Sequence, residues 1–245
     1  MKKLILAGMM AALTGCGGGG GGDSTPANNA SAIAGLYTGT ITGGYDTGGL
    51  VLSNGEYWFA YGNDLNGVLG IVQGDLQATG GNITSGNMKD FSVWDEDVYS
   101  ATLAGSYVAG TSINVTATYP GTPATTAGIG LTFESAAIPT TAVVAGDYTG
   151  SAMGTFGESA VDLTVSTTGA ITGEDDTGCT FTGQLTPVKG GYTLSVSFGG
   201  GTCFFPGQTL NGVALHEDDV LIGALKNAAR TEGLVFDIEI VPPPA

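Results

Sequence analysis

Ala34-Gly35-Leu36-Tyr37-Thr38-Gly39 returns about 110 residues later as Ala145-Gly146-Asp147-Tyr148-Thr149-Gly150. One shared hexapeptide is weak evidence, but three further pairs follow in the same order. Gly70-Ile71-Val72-Gln73-Gly74-Asp75-Leu76 matches Cys179-Thr180-Phe181-Thr182-Gly183-Gln184-Leu185, Thr102-Leu103-Ala104-Gly105 matches Thr209-Leu210-Asn211-Gly212, and Leu131-Thr132-Phe133 matches Leu234-Val235-Phe236. The offsets drift only slightly, as insertions in turns would make them. One module therefore occurs twice, over residues 33–138 and 144–241, with a linker at 139–143. A period this long marks a duplicated domain, because solenoid repeats are far shorter.

Each copy reads as strands and turns. Gly, Thr, Ser and Val dominate, charged residues are only 11% of the chain, and no long stretch repeats apolar positions at a helical period. Leu221 to Ala229 comes nearest to a helix and is read as a strand leading into a turn. In the first copy, turn signals at Gly43-Gly44, Asn54-Gly55, Asn63-Asp64, Gly80-Gly81, Asp95-Glu96-Asp97, Ala109-Gly110 and Gly121-Thr122-Pro123 mark off about eight strands. The second copy has such signals at Thr168-Gly169, Lys189-Gly190-Gly191, Gly199-Gly200-Gly201 and Glu217-Asp218-Asp219. Eight short strands joined by hairpins suit a small up-and-down antiparallel barrel, since closure removes exposed edges. The expected fold is all-β, with two homologous barrels in tandem; a pair of β-sandwiches is the alternative. In the G-x-Y-x-G opening, the glycines would let the first strand bend and the tyrosine would pack near the barrel mouth.

The chain begins with Lys2 and Lys3, a short apolar run from Leu4 to Ala12, and Leu13-Thr14-Gly15-Cys16, which reads as an export leader over residues 1–15. The apolar run is too short to span a bilayer. Residues 16–32, with six consecutive glycines at 17–22, read as a flexible tether. The proline-rich tail at 242–245 cannot donate to a sheet ladder. Without Lys2 and Lys3, four basic residues face 22 acidic ones, a net charge of −18. Such a surface is solvated and self-repelling, and it lacks the clustered Lys and Arg that nucleic acid requires. Apart from Cys16 directly after the leader, Cys179 and Cys203 are an even pair in an oxidising compartment and are expected to form a disulfide.

Small residues ahead of Cys16 resemble the lipobox of bacterial lipoproteins, and Gly17 after the cysteine, in place of Asp, matches those sorted to the outer membrane. With the polyglycine tether and the glycine-rich β modules, the chain is similar to two-domain lipoproteins of Gram-negative bacteria with a cysteine pair in the second domain. It shares only architecture with surface lipoproteins such as transferrin-binding lipoprotein and factor H-binding protein. The resemblance implies lipidation of Cys16, attachment to the membrane through that lipid, and work outside the cytoplasm on the surface or the periplasmic face.

The side chains that could carry a function are few. In Tyr57-Trp58-Phe59-Ala60-Tyr61, alternation puts Tyr57, Phe59 and Tyr61 on one face and Trp58 on the other, so one face could fill a core while the other meets a ligand or partner. Tyr57, Trp58 and Tyr61 are contact candidates, with Phe204 and Phe205 beside Cys203. His216 stands among Glu217, Asp218 and Asp219 in an apparent hairpin turn, with no nucleophile motif anywhere to serve it. The acidic runs lack the ligand spacing of a calcium loop. No metal or cofactor is expected. The expectation is a non-catalytic, lipid-anchored envelope protein that binds a ligand or partner, with a purely structural envelope role or an extracellular hydrolase as alternatives.

Overall fold

The computed structural model describes residues 28–65, 67–154 and 157–242. Cys16 and the residues that resemble a lipobox lie outside them. The first module holds β1 (Gly35–Ile41), β2 (Tyr45–Val51), β3 (Glu56–Asn63), β4 (Gly67–Asp75), β5 (Gln77–Thr79), β6 (Asn82–Ser92), β7 (Asp97–Val108), β8 (Ser112–Tyr119) and β9 (Thr125–Ser135). Neighbouring strands pair antiparallel, β1 also pairs with β9, and β4 pairs with β6, which closes the ring. Residues Gly70 to Gln73 of β4 face Ser92 to Lys89 of β6, and Gln77 to Thr79 of β5 face Thr84 to Asn82 of the same strand. Thus β5 continues the line of β4 after a break at Leu76, and the ring has eight strands with the fourth interrupted.

The second module is a closed barrel of β10 (Gly146–Gly154), β11 (Gly157–Val165), β12 (Ala170–Asp175), β13 (Thr180–Val188), β14 (Gly191–Phe198), β15 (Thr209–Glu217), β16 (Val220–Lys226) and β17 (Gly233–Ile240). The expected tandem of up-and-down barrels is therefore present. The four matched segments fall on equivalent strands of the two rings: the first (β1, β10), fourth (β4, β13), sixth (β7, β15) and eighth (β9, β17). Leu221 lies in β16, and the chain turns after Lys226, as its sequence reads.

The repeated G-x-Y-x-G has the same two tasks in both copies. The Tyr37 hydroxyl donates to the Ile33 carbonyl at 2.8 Å, and the Tyr148 hydroxyl to the Val144 carbonyl at 3.1 Å. Each tyrosine is fully buried and ties down a short 3-10 helix, Ala30–Ala32 or Thr141–Val144, that plugs the end where the chain enters its barrel. The closing glycines serve strand contact: a Cβ at Gly39 would collide with the Gly130 carbonyl on β9, and one at Gly150 with the Asp237 carbonyl on β17. They let the first strand lie against the last, where the ring shuts.

Inside the barrels, alternate residues point inward and form two cores. Tyr57, Phe59, Val72, Ile83, Leu103 and Val115 belong to the first; Val161, Ile171, Leu194, Leu221, Leu234 and Ile238 belong to the second. A third core joins the modules, where the outer faces of β2, β3 and β4 meet those of β15, β16 and β17 through Leu50, Leu52, Trp58, Ile71, Val213, Ala224 and Val235. Arg230 reaches from the turn after β16 to the Gln73 carbonyl at 2.9 Å and the Asn87 carbonyl at 2.6 Å. Residues 28–32, expected at the end of the tether, are part of barrel 1 instead. The Asn28 side chain accepts from the Ala78 amide and donates to the Leu76 carbonyl, and Ala30 is buried.

Candidate functional site

Both barrels are filled. The void in barrel 1 is about 20 Å³ and that in barrel 2 about 60 Å³, each lined by its core side chains. Sites for small molecules usually need several hundred Å³. Neither lumen is a ligand chamber.

The ends of the two barrels differ. At the far end of barrel 2, opposite chain entry, the Cys179–Cys203 disulfide pins the 199–208 loop to the turn after β12. That loop inserts Phe205, 1% exposed, against Phe198 with ring centroids 5.5 Å apart, and leaves Phe204 outside at 55%. The far end of barrel 1 holds a polar group. Asp90, 7% exposed, accepts the Tyr61 hydroxyl at 2.9 Å and the Tyr119 hydroxyl at 2.7 Å. Burial raises the Asp90 pKa, and the two tyrosine hydrogen bonds only partly oppose that shift. Burial, reinforced by the Asp90 charge, also raises both tyrosines.

The candidate contact residues are distributed by this architecture. Tyr57 is inside barrel 1, where its hydroxyl donates to Ser85 Oγ at 3.2 Å and burial pushes its pKa up to about 12. Trp58 faces the other way, as alternation requires, but its surroundings are the second barrel. It is 2% exposed, its Nε1 donates to Glu56 Oε1 at 3.1 Å, and Lys226 Nζ stands 5.5 Å from its ring centroid. The partner of Trp58 is thus the second half of its own chain. Tyr57, Trp58 and Phe205 are closed off from solvent, Tyr61 is committed to Asp90, and only Phe204 presents its ring outward.

A cleft of about 620 Å³ opens where the barrels diverge beside the linker. Leu36, Ala60 and Val68 line one wall, Tyr192, Leu215 and Ile222 the other, and Ala137, Pro139 and Val143 the linker side. His216 and Glu217 stand at its polar edge. His216 is the penultimate residue of β15, with only Asp218 and Asp219 left for the turn, so the histidine read as a turn residue is a strand residue at the cleft. Its Nε2 is buried and makes no hydrogen bond. Among the described residues, no three His, Cys, Asp or Glu side chains gather as a metal site would require.

Asp90 and the cleft escape the sequence reading for different reasons. Asp90 shares the inward parity of Met88 in β6, so a carboxylate at an inward position was the available signal. The cleft is made by outer faces of distant strands, and nothing in either module's own pattern marks it. No protein-family model, curated protein or solved structure matches this chain.

Proposed function

We propose that the chain is a non-catalytic, lipid-anchored envelope protein, held at the outer membrane through Cys16, that binds a ligand or partner outside the cytoplasm in the cleft between its barrels. The cleft is the observation that carries this reading. It falls in the volume range of ligand sites, has a mostly apolar lining with few polar groups, and lies at a domain junction, where such sites are common. The filled lumens support it by leaving recognition to outer surfaces.

A photo-reactive phenylalanine analogue at Ala60, Ala137 or Ile222 in the full-length protein tests the reading in intact cells. Cross-linked adducts, seen as added mass, are the expected result. Clean protein from all three positions would overturn the cleft as a binding site.

The structural alternative draws on a different observation. Two packed barrels sharing a third apolar core form a stiff body that could act as a spacer. A hydrolase reading would have to work through His216 and Glu217 at the cleft edge, where no further His, Cys, Asp or Glu among the described residues lines the cleft.

A further inference from the structure

Four turns surround the far end of barrel 1: those after β1, β3, β6 and β8. Turn positions normally carry Gly, Asn, Asp or Ser. Here Leu65 is 92% exposed, Trp94 72%, Tyr99 41% and Tyr45 36%, all at or beside these turns. The turns holding Leu65 and Trp94 are neighbours, because β4 pairs with β6 and the Trp94 amide donates to the Leu69 carbonyl at 3.3 Å. Single exposed apolar residues need no explanation, but four large ones on one rim form a patch. The other large exposed apolar side chains, among them Val108, Ile138 and Phe204, belong to other segments than these four turns.

Exposed carboxylates stand between these side chains: Asp46, Asp64, Asp95, Glu96 and Asp97, with no Lys or Arg on the four turns. Glu96 holds a left-handed backbone (φ 54) at the tip of its turn. Residue 28, from which the chain leads back toward Cys16, sits at the opposite end of the barrel on Leu76 and Ala78. The rim therefore faces away from the tethered end.

We propose that this far rim of barrel 1 is a docking surface for a basic polypeptide segment, with Trp94 and Leu65 as apolar anchors and the five carboxylates as its charge complement. Charge selects the occupant. An anionic membrane or nucleic acid would be repelled, while Lys and Arg side chains would find carboxylates and the faces of Trp94, Tyr99 and Tyr45. Aromatic anchors ringed by polar groups are also where binding energy concentrates in protein interfaces. This inference does not depend on the cleft.

The test is binding of fluorescent deca-arginine to the full-length lipidated protein in neutral detergent, with deca-glutamate as control. Deca-arginine should bind, weaken as salt is raised, and lose about tenfold in affinity with Asp95→Asn, Glu96→Gln and Asp97→Asn combined. Trp94→Ala should cost about fivefold. The equal-charge change Asp162→Asn, Glu174→Gln and Glu239→Gln, at exposed positions on β11, β12 and β17 of barrel 2, should cost less than about twofold. Equal losses from the two triple variants would reduce the effect to bulk charge and overturn the proposal. So would an unchanged Trp94→Ala variant, absence of deca-arginine binding, or retention on neutral polysaccharide beads in place of the peptide.

Discussion

Asp90 accepts the Tyr119 hydroxyl at 2.7 Å inside the far mouth of barrel 1, and the Tyr119 ring packs against the barrel's apolar core. Its second donor is Tyr61, and the Asp95 charge adds to the burial that raises its pKa. The equivalent end of barrel 2 is closed by Phe205 on a disulfide loop. The two modules thus share a ring and an entry plug but close their far ends by different chemistry.

That carboxylate sets a pH dependence. Desolvation raises the Asp90 pKa above its ordinary value of 3.8, so the folded protein holds the proton more tightly than the unfolded chain. Stability from this group is fully present below the ordinary value and is lost as pH rises through the raised one. Urea unfolding of the wild type and Asp90→Asn at several pH values between about 4 and 7 should show the wild type gaining on the variant as pH falls. A constant difference across that window would refute the assignment.

Trp58 couples the barrels. Truncating a buried tryptophan typically costs about 3 to 5 kcal/mol, and here the loss falls on the core between modules. In calorimetry, Trp58→Ala should turn one unfolding transition into two, with each barrel keeping its own strand signal. A single transition shifted as a whole would mean that the modules do not unfold separately.

Breaking the disulfide should act locally and through the unfolded state. The bond joins cysteines 24 residues apart, and closing a loop of that size is worth about 3 kcal/mol in the chain-entropy model. Replacing both cysteines by alanine should lower stability by about that amount and free the loop that carries Phe205. Hydrogen exchange would then rise at residues 199–208 while barrel 1 keeps its protection.

Localisation is checked on cells. Metabolic labelling with an alkyne fatty acid should mark the wild type and miss Cys16→Ala. Protease shaving, with a periplasmic control protein kept intact, should release peptides from residues 33–241 if the barrels face outward. Their protection would place them on the periplasmic side and leave the cleft to a periplasmic partner.

Much of the fold was legible in the sequence, because its signals are local. The turn signals read in both modules fall at strand connections, since Gly, Asn and Asp meet backbone demands within four residues. The order of matched segments placed equivalent strands, and alternation in Tyr57 to Tyr61 correctly set Trp58 against its neighbours. Candidate sites were less legible. The exposed face of an isolated strand and a face covered by another module have the same alternation, so Trp58 read equally well as a ligand contact.

By itself, the sequence of this protein determined its strand-and-turn character, its duplication, the likeness of residues 13–16 to a lipobox and the pairing of Cys179 with Cys203, because each depends on residue type, short spacing or count. Only the tertiary structure decided that both lumens are filled, that Trp58 and Arg230 join the barrels, that His216 borders a cleft, and that Leu65 and Trp94 share one rim. Those relations arise from ring closure and from one barrel packing on the other, which bring together residues that no local pattern connects.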